Sequence, residues 1–89
     1  MTKTFIFDES SWKWDKDMDL NRCILIQEFR HFMQSIEYRG YIYLNQLHEG
    51  LGMKWDPDIE NVCFRRENGP VKFDYELTDF NTYRIIITQ

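Results

Sequence analysis

Residues 20–38 read LNRCILIQEFRHFMQSIEY, and this stretch decides the fold class because its apolar side chains recur with the period of an α-helix. The centre of the apolar stripe consists of residues separated by four, three and four positions: Leu25, Phe29, Phe32 and Ile36. Ile26 and Met33 are expected to widen this stripe. Asp19 is the predicted N-cap, and Gly40 is predicted to end the helix. The pattern predicts one long amphipathic helix that packs on a sheet.

Directly after this helix, the sequence predicts a short strand and a second helix. Residues 41–44 read YIYL, which is typical of a strand because tyrosine and β-branched residues favour the pleated conformation. Asn45 is expected to cap a short helix over 46–51, which Gly52 would close.

The last third of the chain predicts a three-stranded antiparallel meander. Asn68-Gly69 favours a two-residue hairpin turn, so it is predicted to join a strand over 62–66 to a strand over 71–77. A turn over 78–81 then leads to a final strand over 83–88. The predicted class is α+β: one long amphipathic helix on a small antiparallel sheet, with a second short helix.

The segment before the long helix predicts a strand over Thr2–Phe7, followed by a polar loop. The chain has 89 residues, which is short for more than one domain, so residues 1–89 are expected to form a single domain. Residues 1–18 lie outside the helix and meander pattern, and we expect this N-terminal strand and loop to be attached more loosely than the rest.

Composition and charge restrict the partners that the chain can take. Eleven Lys and Arg against fifteen Asp and Glu give a net charge of −4, without the clustered cations that bind a phosphate backbone. No apolar run approaches the roughly 20 residues of a membrane span. Cys23 and Cys63 are isolated, which favours free thiols in a reducing compartment. We therefore expect a cytoplasmic chain, with nucleic-acid and membrane binding disfavoured.

The titratable residues do not form a recognisable catalytic or metal-binding pattern. Asp15, Asp17 and Asp19 alternate along the chain, but an EF-hand calcium loop also requires a central glycine and a glutamate at its twelfth position, which here is Ile26. His31 and His48 lie far from any zinc-ligand spacing. No phosphate-binding loop or nucleophile motif is present. We expect neither enzymatic activity nor a cofactor or metal.

One segment resembles a known group of proteins. Residues 39–52 read RGYIYLNQLHEGLG: a glycine, a short aromatic strand, an asparagine and a helix that ends in Leu-Gly. This order, between an amphipathic helix and a glycine-containing hairpin, resembles small accessory proteins of phages and integrative elements. The resemblance covers about residues 20–89. It implies a phage or mobile-element context and supplies no catalytic residues.

Aromatic residues make up 17% of the chain, which is more than one helix on a small sheet needs in order to form a core. Trp12, Trp14 and Trp55 fall in predicted loops. Rings flanked by carboxylates predict a protein-binding surface that meets a basic cleft. The predicted contact residues are Trp12, Trp14, Asp15, Asp17, Trp55, Asp56 and Asp58.

The function expected from these features is a non-enzymatic binding module that modulates a bacterial protein. Its concrete form is an inhibitor of a bacterial defence effector, such as an anti-CRISPR protein. The first alternative is a self-associating structural or scaffold subunit, in which the exposed edge of the final strand, 83–87, pairs with its copy as a homodimer. The second alternative is a small DNA-binding regulator that reads a groove with residues 46–51, which the charge distribution opposes.

Overall fold

The computed structural model describes residues 1–89 and confirms the α+β class, with two helices and five strands. The helices are α1 (Met18–Arg39) and α2 (Leu44–Gly50). The strands are β1 (Thr2–Phe7), β2 (Tyr41–Tyr43), β3 (Cys63–Arg65), β4 (Lys72–Leu77) and β5 (Tyr83–Thr88). No helix in the chain has the length and apolar character that crossing a membrane would require.

Helix α1 begins earlier than predicted. The carboxylate of Asp17 accepts the N–H groups of Asp19 and Leu20 at 3.0 and 3.4 Å, so Asp17 is the N-cap. The prediction that Asp19 caps the helix is wrong, because Asp19 already lies in the first turn. The end is as predicted: Gly40 has φ of 83°, and its N–H donates to the Ile36 carbonyl at 2.8 Å.

The apolar stripe of α1 is narrower than predicted. The buried residues on this helix are Asn21, Leu25, Phe29, Phe32 and Ile36, as the helical period indicates. Ile26 and Met33 are exposed, so their predicted part in the stripe is wrong. Each directly follows a stripe residue, and one residue turns a helix by about 100°, which carries their side chains off the buried face.

The larger sheet has the strand order β1-β5-β4 and is antiparallel throughout. The predicted hairpin at Asn68-Gly69 is wrong, because β3 pairs with β2 in a separate two-stranded sheet, where Phe64 lies opposite Ile42. An Asn-Gly hairpin turn would pair Glu67 with Pro70, and proline has no N–H to donate. The third strand of the larger sheet is therefore β1 instead of β3.

The central position of β5 removes the edge proposed for self-association. All six residues of β5 are paired with β1 on one side and with β4 on the other. Pairing of the 83–87 strand with its copy is therefore wrong, because no free edge remains there.

Residues 1–18 are attached along most of their length. Strand β1 pairs with β5 over all six of its residues, and Phe7 is fully buried. In the following loop, the Ser11 hydroxyl donates to the Leu51 carbonyl, and the Trp12 N–H donates to the Gly52 carbonyl at 3.2 Å. The loop is thereby fixed to the C-terminal end of α2.

Helix α1 covers both sheets with aromatic contacts. Phe29 stacks on Phe73 of β4, with ring centroids 4.5 Å apart. The Phe32 ring meets Phe73 edge-on at 5.2 Å and Phe64 of β3 at 5.6 Å. Phe32 therefore joins the two sheets in one core.

Helix α2 begins one residue before Asn45, so the prediction that Asn45 caps it is wrong. The N-cap is Tyr43, whose N–H donates to the Gln46 side chain at 3.0 Å. Asn45 is fully buried, and its side chain binds a loop instead.

Candidate functional site

The three tryptophans of the predicted contact set lie in different environments. The Trp12 side chain is 79% exposed and the Trp55 side chain 53% exposed. Trp14 instead packs on the core, with its ring edge-on to Phe7 at 5.0 Å and to Tyr83 at 6.3 Å. Two of the three rings are therefore available to a partner, and the third supports the fold.

Three of the four carboxylates of the set have local structural roles. Asp15 accepts the Asp17 N–H at 2.8 Å, and Asp56 accepts the Asp58 N–H at 2.9 Å. A carboxylate that binds the N–H two residues later forms an Asx turn. The Asp-x-Asp spacing at both places therefore stabilises turns, and Asp17 in addition caps α1.

Two fully buried asparagines hold the loops that carry these carboxylates. Asn21 accepts the Asp15 N–H at 2.9 Å and donates to its carbonyl at 2.8 Å. Asn45 makes the same pair of bonds to the Asp56 backbone, both at 3.0 Å. No hydrogen bond or ring contact joins residues 12–17 to residues 55–58, so the fold does not bring the predicted set together through direct contacts.

A different surface combines exposed apolar side chains with carboxylates. At the end of the larger sheet, a groove of about 600 Å³ is lined by residues of all three strands and of the β4–β5 turn, including Arg84 of β5. Phe80 is 87% exposed and Leu77 57% exposed, and Ile6 is exposed beside them. We call this region the hairpin-tip surface, formed by Ile6, Asp8, Glu76, Leu77, Asp79 and Phe80.

The turn that presents Phe80 is held by its own hydrogen bonds. The Thr78 N–H donates to the Thr82 carbonyl at 2.8 Å, and the Asn81 N–H donates to the Thr78 carbonyl at 3.1 Å. The Thr78 hydroxyl lies 2.6 Å from the Thr82 hydroxyl and accepts the Phe80 N–H at 3.3 Å. Asn81 takes the left-handed conformation, with φ of 57°. These bonds fix the backbone of Phe80 without any packing of its ring.

The charges of the hairpin-tip surface are mainly negative. Glu76 forms an ion pair with Arg84 of the neighbouring strand. Asp8 and Asp79 have no cationic group within 4.0 Å, and the Asp8 carboxylate binds the Ser10 hydroxyl at 2.6 Å. The groove therefore presents two unneutralised carboxylates next to an exposed aromatic ring.

Sequence analysis did not identify the hairpin-tip surface. Phe80 stands between Asp79 and Asn81 in a predicted turn, where no apolar periodicity predicts that its ring is buried. A large apolar residue at such a position was the available signal. Ile6 and Asp8 come from the opposite end of the chain, and they reach the groove because β1 pairs with β5.

The remaining titratable groups do not form a further cluster. No three His, Cys, Asp or Glu side chains lie close enough together to hold a metal ion, and Cys23 and Cys63 are free thiols. His48 is buried against Phe5, with ring centroids 4.4 Å apart, and its Nε2 has no hydrogen-bond partner. Burial lowers the pKa of His48, and the opposing effect of the Asp56 carboxylate is smaller. His48 is thus held neutral.

Comparison with known proteins gives no relative for this chain. No protein-family model, curated protein or solved structure matches it.

Proposed function

We propose that this chain is a non-enzymatic binding module of a phage or mobile genetic element, which docks on a bacterial protein through its hairpin-tip surface. The observation that carries the proposal is the position of Phe80, a large apolar side chain held in water by a hydrogen-bonded turn. Burial of this ring by a partner would remove its apolar surface from water. Because the turn is already ordered, little backbone entropy is lost on binding.

The carboxylates define the chemistry of the partner. Asp8 and Asp79 line the groove beside Ile6, Leu77 and Phe80, and neither carboxylate has a cationic group within 4.0 Å. Charge complementarity favours a partner with an apolar pocket bordered by Lys and Arg side chains. Proteins that process nucleic acids present basic clefts of this kind. The specific form of the proposal is therefore an inhibitor of a bacterial defence effector, such as an anti-CRISPR protein, and its phage context is supported by the resemblance of residues 39–52.

The alternative function is DNA recognition by α2, but this helix has little exposed surface with which to contact a groove. Leu44, Asn45, Leu47 and His48 are buried, and the exposed Glu49 carries the same sign of charge as a phosphate backbone. We do not adopt it.

The test compares three tagged chains in affinity capture from bacterial lysate: wild type, Phe80→Ala and Tyr38→Ala. Tyr38 is 88% exposed on α1 and lies outside the groove, so it is a matched control for loss of an exposed ring. We expect wild type and Tyr38→Ala to capture one stoichiometric partner that Phe80→Ala loses. With the purified partner, Phe80→Ala should cost about 2 kcal/mol or more, roughly thirtyfold in Kd.

Charge variants test the second part of the proposal. Asp8→Asn with Asp79→Asn should weaken binding and reduce its salt dependence, whereas Asp58→Asn with Glu49→Gln should leave both unchanged. Equal capture by wild type and Phe80→Ala would contradict the proposed surface. If Trp12→Ala alone removed the partner, the contact would instead lie in the N-terminal loop.

A further inference from the structure

A second exposed surface of this chain combines aromatic rings with arginines. The rings of Tyr41 and Tyr43 lie on the outer face of β2, with centroids 6.1 Å apart. They line a groove of about 440 Å³ together with Arg39 and Trp55. An adjoining groove of about 460 Å³ shares Arg39 and Tyr41 with the first. We call this continuous surface the tyrosine–arginine groove, formed by Arg39, Tyr41, Tyr43, Trp55, Arg65 and Arg66.

The arginines of this groove are not neutralised by close carboxylates. Arg39, Arg65 and Arg66 have no carboxylate oxygen within 4.0 Å, although Glu60 and Glu67 also line the grooves. Arg66 donates to the Glu37 carbonyl at 2.7 Å, at the C-terminal end of α1. Tyrosine, tryptophan and arginine are the residue types that dominate protein-interface hot spots.

The groove and the hairpin-tip surface lie at opposite ends of the central strand β5. The Gln89 side chain, just after β5, donates to the Arg65 carbonyl beside the groove. Phe80 lies just before the other end, at Tyr83, whose hydroxyl donates to the Met18 carbonyl at the start of α1. Six strand residues span about 20 Å. The tip of one chain therefore cannot enter its own groove.

We propose that the hairpin tip of one copy docks in the tyrosine–arginine groove of a second copy, in a head-to-tail contact. Phe80 would pack on the rings of Tyr41 and Trp55, and the carboxylates of Asp8 and Asp79 would lie near Arg39 and Arg65. The two surfaces are complementary in their unpaired charges. The tip presents the carboxylates of Asp8 and Asp79 without a close cation, and the groove presents three arginines without a close carboxylate. Each chain has one copy of both surfaces. Such a contact repeats from copy to copy, so it produces rings or open chains instead of a closed two-fold dimer.

The contact differs from pairing of β5 edges, which the central position of β5 excludes. It is also independent of the proposed function, because it needs only the purified chain. If both hold, self-association and partner capture compete for Phe80.

The test is sedimentation velocity of the purified full-length chain over a wide range of concentration. The average mass of the wild type should increase with concentration to values above the mass of a dimer, and the increase should be larger at low salt. Phe80→Ala retains only the groove, and Arg39→Glu retains only the tip. Each should remain a monomer alone, and their equimolar mixture should double in mass to a dimer and stop there. Tyr38→Ala should behave as wild type.

Several results would overturn the proposal. A monomeric wild type at every concentration would do so, while the capture experiment on a bacterial partner would still decide the proposed function. Dimers formed by either variant alone would indicate a symmetric contact elsewhere. A monomeric wild type whose tryptophan fluorescence is quenched by a single-stranded oligonucleotide would assign the groove to nucleic acid, provided that Arg39→Glu and Trp55→Phe each remove the quenching.

Discussion

Two irregular segments of this chain carry aromatic rings: the loop over 8–17 and the turn over 78–82. They differ in the hydrogen bonds that hold their backbones. The loop is bound to residues far along the chain: Ser11, Trp12 and Lys13 all bond to carbonyls of residues 50–52. The turn is held by bonds between residues at most four positions apart.

The difference in bonding explains where the rings of Trp14 and Phe80 lie. The loop folds back onto α2, and this places Trp14 against the core. The turn needs no tertiary partner, so Phe80 can be ordered and exposed at the same time. An ordered, exposed ring is suited to binding, and a ring that is ordered by packing is suited to stability.

The largest expected effect is the loss of Trp14. Trp14→Ala should lower the free energy of unfolding by about 3 kcal/mol, because the variant leaves a cavity beside Phe7 and Tyr83. Urea unfolding followed by circular dichroism measures this change. A loss below that of Trp12→Ala would show that the loop does not depend on the packed ring.

Removal of the buried Asn21 side chain, which binds the backbone of the loop, should have the next largest effect. Asn21→Ala leaves the Asp15 N–H and carbonyl without their buried partners, so we expect a loss of about 2 kcal/mol. Hydrogen exchange should also show faster exchange at the Trp12 amide, with the Phe80 amide unchanged. Equal acceleration at both amides would mean that the loop and the turn open together.

Acid should lower the stability of the folded chain through His48. Burial lowers the pKa of His48 in the folded chain, so below a pH of about 6.5 the unfolded chain binds a proton that the folded chain does not. The free energy of unfolding should therefore decrease as the pH falls from 7.5 toward 5. His48→Phe should flatten this slope, and the exposed His31→Phe should leave it unchanged. An unaltered slope in His48→Phe would contradict this account.

The smallest expected effect on stability belongs to Phe80. Phe80→Ala should change the free energy of unfolding by no more than about 0.5 kcal/mol, because the ring makes no packing contact. Thermal unfolding of this variant beside Trp14→Ala tests the comparison directly. A large loss for Phe80→Ala would place the ring in the fold and weaken both proposed contacts.

The sequence by itself determined the elements whose signals are local. The helical period of residues 20–38 identified α1 and four of its buried residues, and the alternation of apolar and charged residues over 71–77 identified β4. Gly40 ends α1 as predicted, because the left-handed conformation there favours glycine. These features depend on residues three or four positions apart, or on the backbone preference of one residue.

Only the tertiary structure decided which strands pair and which rings face water. The Asn-Gly signal was overridden because Pro70 cannot donate to the hairpin and Phe64 gains burial beside Ile42 under α1. The Asp-x-Asp spacing does not show by itself that Asp15 and Asp56 close turns, and the bonds from buried Asn21 and Asn45 to these loops join residues 6 and 11 positions apart. Contacts between residues far apart in the chain carry little local sequence signal, because their free energy depends on long-range pairing and burial.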